Sequence, residues 1–372
     1  MVYIPIGSLD TFIPLDTEGT SNSYIADRGA ASYSFTATIM GNGADGIIDE
    51  GKFEDASGNI LTKAGGANIH PLSAKLLWQD TDELVEQVAL VNGRVQVKMG
   101  RSRGNALIAV YDKANPNAED AKVLWSWHLW CTPVPQIIEY TVPRTGHEYT
   151  IMDRNVGATT STLGLVTTQG LQYQFGRKDP FTTSLDYDEN VAVFLRNVRS
   201  DSLPHLFSYE PLTIAQAIGK PDVFIDRMNL SGGKWCETSE MKYLWGNPEG
   251  QAEYFPSLTV KTIYDPCPIG YKVPPVDALI LKMKSYSQYE HDGIYYAGEE
   301  GDNTKLINMP VVHSAYYAYG TSIAYWTSSD FGKPNSTFEW GEFGVMHTYY
   351  PGSYTLRYNA FARPGSIRCV KE

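Results

Sequence analysis

Asp265–Pro274 reads DPCPIGYKVP, a cysteine held between two prolines and followed by a glycine, an aromatic residue and a further proline. Proline fixes φ and biases the residue before it toward extended geometry, so the chain aims the Cys267 side chain before any tertiary contact forms. A thiol aimed in this way suits a disulfide partner or a metal ligand. The stretch by itself leaves both open.

Working outward, 372 residues are enough for two domains and a sizeable core. The 25 Tyr, 8 Trp, 33 Gly and 21 Pro, with only 19% charged residues, resemble turn-rich β or α+β proteins that work outside cells. A net charge of −12 and the absence of any basic run argue against nucleic-acid binding, which rests on Lys and Arg neutralising phosphates. No apolar stretch is long enough to span a bilayer, so no transmembrane segment is expected. The opening MVYIPIGSLDTFIP lacks the basic and apolar regions of a signal peptide, which leaves open an export signal upstream of it.

The four cysteines, Cys131, Cys236, Cys267 and Cys369, show no C-x-x-C spacing, and the seven histidines form no H-E-x-x-H or H-x-H pattern. Zinc-type ligation therefore has no support, and neither a metal nor another cofactor is expected. His128, within the aromatic run WSWHLW, reads as a packed histidine.

The first third alternates with period two: YSFTATIM at Tyr33–Met40, VEQVALV and RVQVKM on either side of Asn92-Gly93, then NALIAVYD and VLWSWHLW. These are strands, and Asn-Gly between two of them predicts a type I′ hairpin. In VLWSWHLW, Val123, Trp125, Trp127 and Leu129 fall on one face, expected to be a core face. TPVPQ at Thr132–Gln136 reads as a linker. The expected fold class is α+β, with a β-sandwich domain over residues 1–135 and a second domain over 136–372.

Two enzyme-like motifs fail on context. GNGADG at Gly41–Gly46 fits G-x-G-x-x-G, but acidic, turn-rich sequence follows it instead of a helix, so a hairpin loop is expected. GRSRG at Gly100–Gly104 fits G-x-S-x-G but joins strand to strand, which makes Ser102 a loop serine and no nucleophile. No catalytic residue is assigned.

The second part carries MDRNVGAT, GLQYQFGRKDPF, YLWGNPEG, TIYDPCPIGYKVP, YWTSS and a terminal GSIRCV. From about Glu139 to Glu372 this order resembles the major paralogous domain first named for Fibrobacter, common in Bacteroidetes surface proteins and similar to the C-type-lectin-like and formylglycine-generating-enzyme folds. The resemblance implies a helix after the D-P-C-P turn. PPVDALILKMKSY supplies its pattern, with Val276, Leu279, Ile280 and Met283 at i, i+3, i+4 and i+7. The resemblance also implies that a cysteine in the last strand returns to the turn, pairing Cys267 with Cys369; Cys131 and Cys236 are expected to stay out of disulfides. TSNSYIAD, NALIAVYD and VLWSWHLW in turn resemble the β-sandwich of Bacteroidetes fimbrillin-like and cell-surface adhesin proteins.

Together these likenesses imply an exported, extracellular protein at the cell surface or outer membrane, lipid-anchored through an upstream segment and associated with pili or adhesion. Its partners would be other pilus or surface subunits, and glycans or a host surface protein. Two departures bear on chemistry. Only Cys369 lies beyond Cys267, so the reactive cysteine pair of the formylglycine-generating enzymes is lacking. KPN at Lys333–Asn335 places a cation where a calcium-dependent lectin needs an oxygen ligand.

Binding then falls to aromatic loops. YYAYG at Tyr316–Gly320 and TYYPGSY at Thr348–Tyr354 set tyrosines around turns. Tyr350 and Tyr354 flank Pro351-Gly352, and Asn335 and Glu339 add polar groups, so these four are the candidate ligand-binding residues. An adhesin or pilus-tip subunit is the expected function, a carbohydrate-binding surface module the alternative, and an enzyme of unrecognised type the least supported.

Overall fold

The computed structural model describes residues 11–45, 52–62, 66–142, 145–162, 165–182, 206–225, 234–236, 241, 243–246, 259–279, 287–291, 294–298, 309–310, 324–330, 343–348, 354–359, 361–362 and 364–372. The chain is largely β. Its first part holds β1 (Ile13–Pro14), β2 (Ser23–Ala26), β3 (Ser32–Thr36), β4 (Ser73–Gln79), β5 (Val85–Val91), β6 (Arg94–Met99), β7 (Gly104–Tyr111) and β8 (Val123–Cys131). They form two four-stranded sheets, ordered β1-β3-β6-β5 and β2-β8-β7-β4.

The sheets meet through aromatic rings. Tyr24 stacks on Phe35 with centroids 4.7 Å apart, and Phe35 meets Trp127 at 5.4 Å. The β5–β6 turn forms as its sequence demands, with Asn92 and Gly93 at φ 50° and 74°, the positive pair of a type I′ hairpin.

Strand β8 has the expected core face, and His128 is packed as expected, but burial extends beyond that face. Its odd-numbered face is buried, but so are Ser126, His128 and Trp130 on the other face, and β7 is buried along its whole length. The reason is the second part of the chain, which covers the sheet's outer face: the Trp130 indole donates to Ala158 O at 3.0 Å, and Asn105 Nδ2 donates to Gly157 O at 2.8 Å. The GNGADG segment is likewise not an open hairpin loop. Met40, Gly41 and Asn42 are buried, and Gly43–Asp45 form a 3₁₀ turn.

In the second part, β9 (Ile137–Thr141) and β10 (Glu148–Met152) form a hairpin. It is extended by the terminal pair Val370–Lys371 and then by Tyr271–Lys272. Helix α1 (Ile214–Gly219) starts at a reciprocal capping box between Thr213 and Gln216. Two three-stranded antiparallel sheets follow, one of Ser287–His291, Ile294–Gly298 and Met309–Pro310, the other of Ala324–Asp330, Phe343–Thr348 and Tyr354–Asn359.

The helix expected after the D-P-C-P turn is replaced, over its described residues, by a single 3₁₀ turn at Val276–Leu279; Ile280 and Met283 lie outside the described residues. All four residues of the turn are buried, so there is no polar face to match an amphipathic pattern. Side bonds hold it: Asp277 accepts from Thr145, His147 and Tyr149, and the Ala278 carbonyl accepts from the Tyr140 hydroxyl.

One apolar core runs through both parts, joining Trp125 and Trp127 to Tyr264, Trp245 and Trp326. Between the parts, Val134 and Ile137 are exposed. A protease site inserted between them is therefore expected to be cut, and the two fragments should co-elute on gel filtration because the shared core holds them. Fragments that separate without denaturant would contradict this packing.

Candidate functional site

The DPCPIGYKVP stretch is a buried hub. Cys267 and Cys369 form a disulfide with Cα atoms 5.9 Å apart, and both residues are fully buried. Asp265 ties the turn from within. Its Oδ1 accepts the Cys267 N–H at 2.8 Å, its Oδ2 accepts the Val273 N–H at 2.8 Å, and the Lys261 ammonium lies 3.0 Å from Oδ1. Lys261 also donates to Cys267 O at 2.7 Å and Tyr271 O at 2.6 Å, which uses all three of its protons.

The turn's outward carbonyls serve the first part of the chain. Ser21 Oγ donates to Cys267 O at 2.7 Å, Ser23 Oγ to Pro266 O at 2.7 Å, and Asn22 Nδ2 to Ile263 O at 2.8 Å and Asp265 O at 2.9 Å. Asn22 Oδ1 accepts from the Trp125 indole at 3.0 Å. A rigid proline-flanked turn is what such a set of fixed acceptors needs. Cys131 and Cys236 are buried thiols outside the disulfide, as expected.

The charged word of QFGRKDPF is buried too. Lys178 donates to Asp179 Oδ1 at 2.6 Å and to both oxygens of Ser126, and lies 4.6 Å from the Trp125 ring centroid. Arg177 donates to Val223 O at 2.7 Å and Lys220 O at 3.1 Å. Burial lowers the pKa of both cations, Arg177 to about 10. Ser126 and Lys178 touch as in a Ser–Lys nucleophile pair, but Ser126 is 1% exposed and also donates to Asp179, so the contact joins the two parts of the chain.

His128 lies between Ser23 Oγ, 3.1 Å from Nδ1, and Asn105 Oδ1, 2.9 Å from Nε2. Asn105 spends its Nδ2 protons on Asp80 Oδ2 and Gly157 O, so its Oδ1 faces the imidazole as an acceptor. Desolvation pushes the His128 pKa down to about 3. Its depressed value means that above about pH 6.5 neither state binds a proton; between there and about 3 only the unfolded state does, so stability falls with pH. At pH 4.5 the loss is expected to be about 2–3 kcal/mol relative to pH 7. Urea midpoints at both pH values for the wild type and His128→Gln check this, and an equal acid loss in the two proteins would contradict it.

A different kind of site opens at one end of the first part. The loop Asp27–Ala30, the GRSRG loop and the end of β8 enclose a cleft of about 350 Å³ lined by Asp27, Arg28, Arg101, Arg103, Cys131 and Thr132, among others. The two loops touch directly: the Ala30 N–H donates to Gly100 O at 2.5 Å. A Cβ on Gly29 would lie 2.7 Å from Arg101 O, and one on Gly100 would lie 1.9 Å from Glu83 O, so the glycines of GRSRG and DRGA serve close backbone approach. Ser102 is a loop serine whose carbonyl accepts from the Cys131 thiol at 3.4 Å.

Burial raises the Cys131 pKa against the pull of Arg103, which keeps the thiol protonated and unsuited to nucleophilic attack. Tyr33 O–H donates to Asp27 Oδ1 at 2.9 Å; burial, then this bond, raises the tyrosine pKa to about 12 and makes it a fixed donor that orients the carboxylate. The arginines are what sequence reading passed over. Two arginines between two glycines were legible in GRSRG, whereas their meeting with Asp27 and Arg28 needs the fold.

Asn335, Glu339 and Tyr350 lie outside the described residues, and Tyr354 opens the strand Tyr354–Asn359, with its side chain outside them. Among the described residues, no group of three or more His, Cys, Asp or Glu side chains is placed to hold a metal. No helix among them is long and apolar enough to cross a membrane. No family model, curated protein or solved structure matches the chain.

Proposed function

We propose that the protein acts outside the cell, at a bacterial surface, as an adhesin-like or pilus-tip subunit that binds its ligand without transforming it. The observation that carries this reading is the buried Cys267–Cys369 disulfide, because such bonds form and persist in oxidising compartments. The likeness of the GRKDPF, DPCP and RCV words to surface-protein domains supports the same location, with other surface subunits as partners. The two-part organisation, divided at 135/136, and the C-type-lectin-like character of the second part belong to the same proposal. Labelling of intact cells with an impermeant reagent, followed by pull-down from cell envelopes, tests it. The chain is expected to be labelled and to recover surface subunits; a chain reached only after lysis overturns the reading. The alternative, a carbohydrate-binding surface module, is favoured by the arginine-lined cleft, which has the size and polarity of a small-ligand site.

A further inference from the structure

We propose that the cleft between the Asp27–Ala30 and Gly100–Gly104 loops binds the carboxylate of an acidic sugar. The inference rests on the binding reading above and gives it a ligand class.

Charge is the first argument. The whole chain carries −12, yet Arg28, Arg101 and Arg103 converge on this one cleft against a single carboxylate, Asp27. Among the described residues Arg101 and Arg103 enter no ion pair, and Arg28 reaches Asp27 only at 3.4 Å with its side chain 68% exposed. Three guanidinium groups against one carboxylate leave the cleft with an excess of positive charge, which an entering anion offsets. The guanidinium fork matches a planar carboxylate with two parallel hydrogen bonds, which a lysine cluster would not do.

The rest of the lining selects what carries the carboxylate. Asp27, oriented by Tyr33 at 2.9 Å, is an acceptor suited to ligand hydroxyls, and it repels a compact dianion such as phosphate. The Ala30 methyl adds small apolar surface, and about 350 Å³ lies at the lower end of small-ligand pockets, room for one or two sugar rings. Ala30 has φ 55°, the left-handed region that a non-glycine residue enters at a cost, and such strain is concentrated at ligand sites. The Ala30 N–H bond to Gly100 O ties this loop to GRSRG.

Isothermal titration of the full chain with galacturonate, glucose and inorganic phosphate tests the assignment. Galacturonate is expected to give saturable heat that weakens with salt, while glucose and phosphate give none. Arg101→Ser/Arg103→Ser should weaken galacturonate binding by about tenfold or more at an unchanged thermal midpoint, since both side chains are exposed. The charge-preserving Arg101→Lys/Arg103→Lys pair should recover only part of it, because the fork is lost. No saturable galacturonate heat, phosphate bound as tightly as galacturonate, or a serine variant that binds like the wild type each overturns the proposal. The surface reading fails separately, when intact cells cannot be labelled, so the two results are distinguishable.

Discussion

Reducing the Cys267–Cys369 bond is expected to lower stability by roughly 4–5 kcal/mol at neutral pH, the largest single effect open to a simple treatment of this chain. The bond closes a loop of 102 residues, and cross-linking a loop of that length removes much of the conformational freedom of the unfolded chain. It also acts locally. Cys369 precedes the Val370–Lys371 strand, which sits between β10 and Tyr271–Lys272, so the cross-link holds the chain terminus in the sheet. Urea unfolding with and without reductant measures the effect, and Cys267→Ser/Cys369→Ser should unfold at the midpoint of the reduced protein or below it, since each serine buries a hydroxyl in a site with no exposure. Reduced and oxidised proteins that agree to within about 1 kcal/mol would show that the unfolded chain is already compact enough to make the bond redundant.

Removing Asp265 should cost nearly as much. Asp265→Ala deletes the partner of the Lys261 ammonium and orphans the Cys267 and Val273 N–H groups, all in a site where Lys261 is 5% exposed and Asp265 not at all. Stranding one member of a buried ion pair costs about 3–5 kcal/mol, because the remaining ammonium has lost its water and its counter-charge and keeps only the neutral Cys267 and Tyr271 carbonyls. Lys261→Met should cost less, since the carboxylate keeps two N–H donors. The double variant Lys261→Met/Asp265→Ala is expected to be more stable than Asp265→Ala alone, by about 1–2 kcal/mol, and that sign is the decisive reading of a double-mutant cycle. A double variant as unstable as the sum of the two singles would mean that the ion pair is not coupled.

Both predictions fall on one turn because the two parts of the chain meet there. Ser21, Asn22 and Ser23 present hydroxyl and amide protons to three of its carbonyls and to that of Ile263 just before it, 241 to 246 residues away in sequence. Local stiffness and long-range recognition are therefore one feature. A flexible turn would scatter those acceptors, and each buried donor left without one costs about 1–3 kcal/mol.

What the sequence determined by itself was whatever depends on local stereochemistry. The β5–β6 hairpin was legible because only residues tolerant of positive φ fit a type I′ turn, and Asn92-Gly93 are such residues. The strand character of β7 and β8 followed from alternation, and the proline-flanked Cys267 announced a fixed thiol whose partner came from the motif likeness. Tertiary structure alone decided the rest. Alternation identifies one buried face of β8, but cannot show that Ser126, His128 and Trp130 are covered from the other side, because their cover arrives from the second part of the chain. The pattern across Val276–Leu279 suits a helix, yet hydrogen bonds from Tyr140, Thr145, His147 and Tyr149 select a fully buried 3₁₀ turn, and these donors lie some 130 residues upstream. Nothing in GRSRG singles out its arginines before the fold sets them beside Asp27 and Arg28. Their chemistry depends on distances between loops about 70 residues apart, which no local pattern encodes.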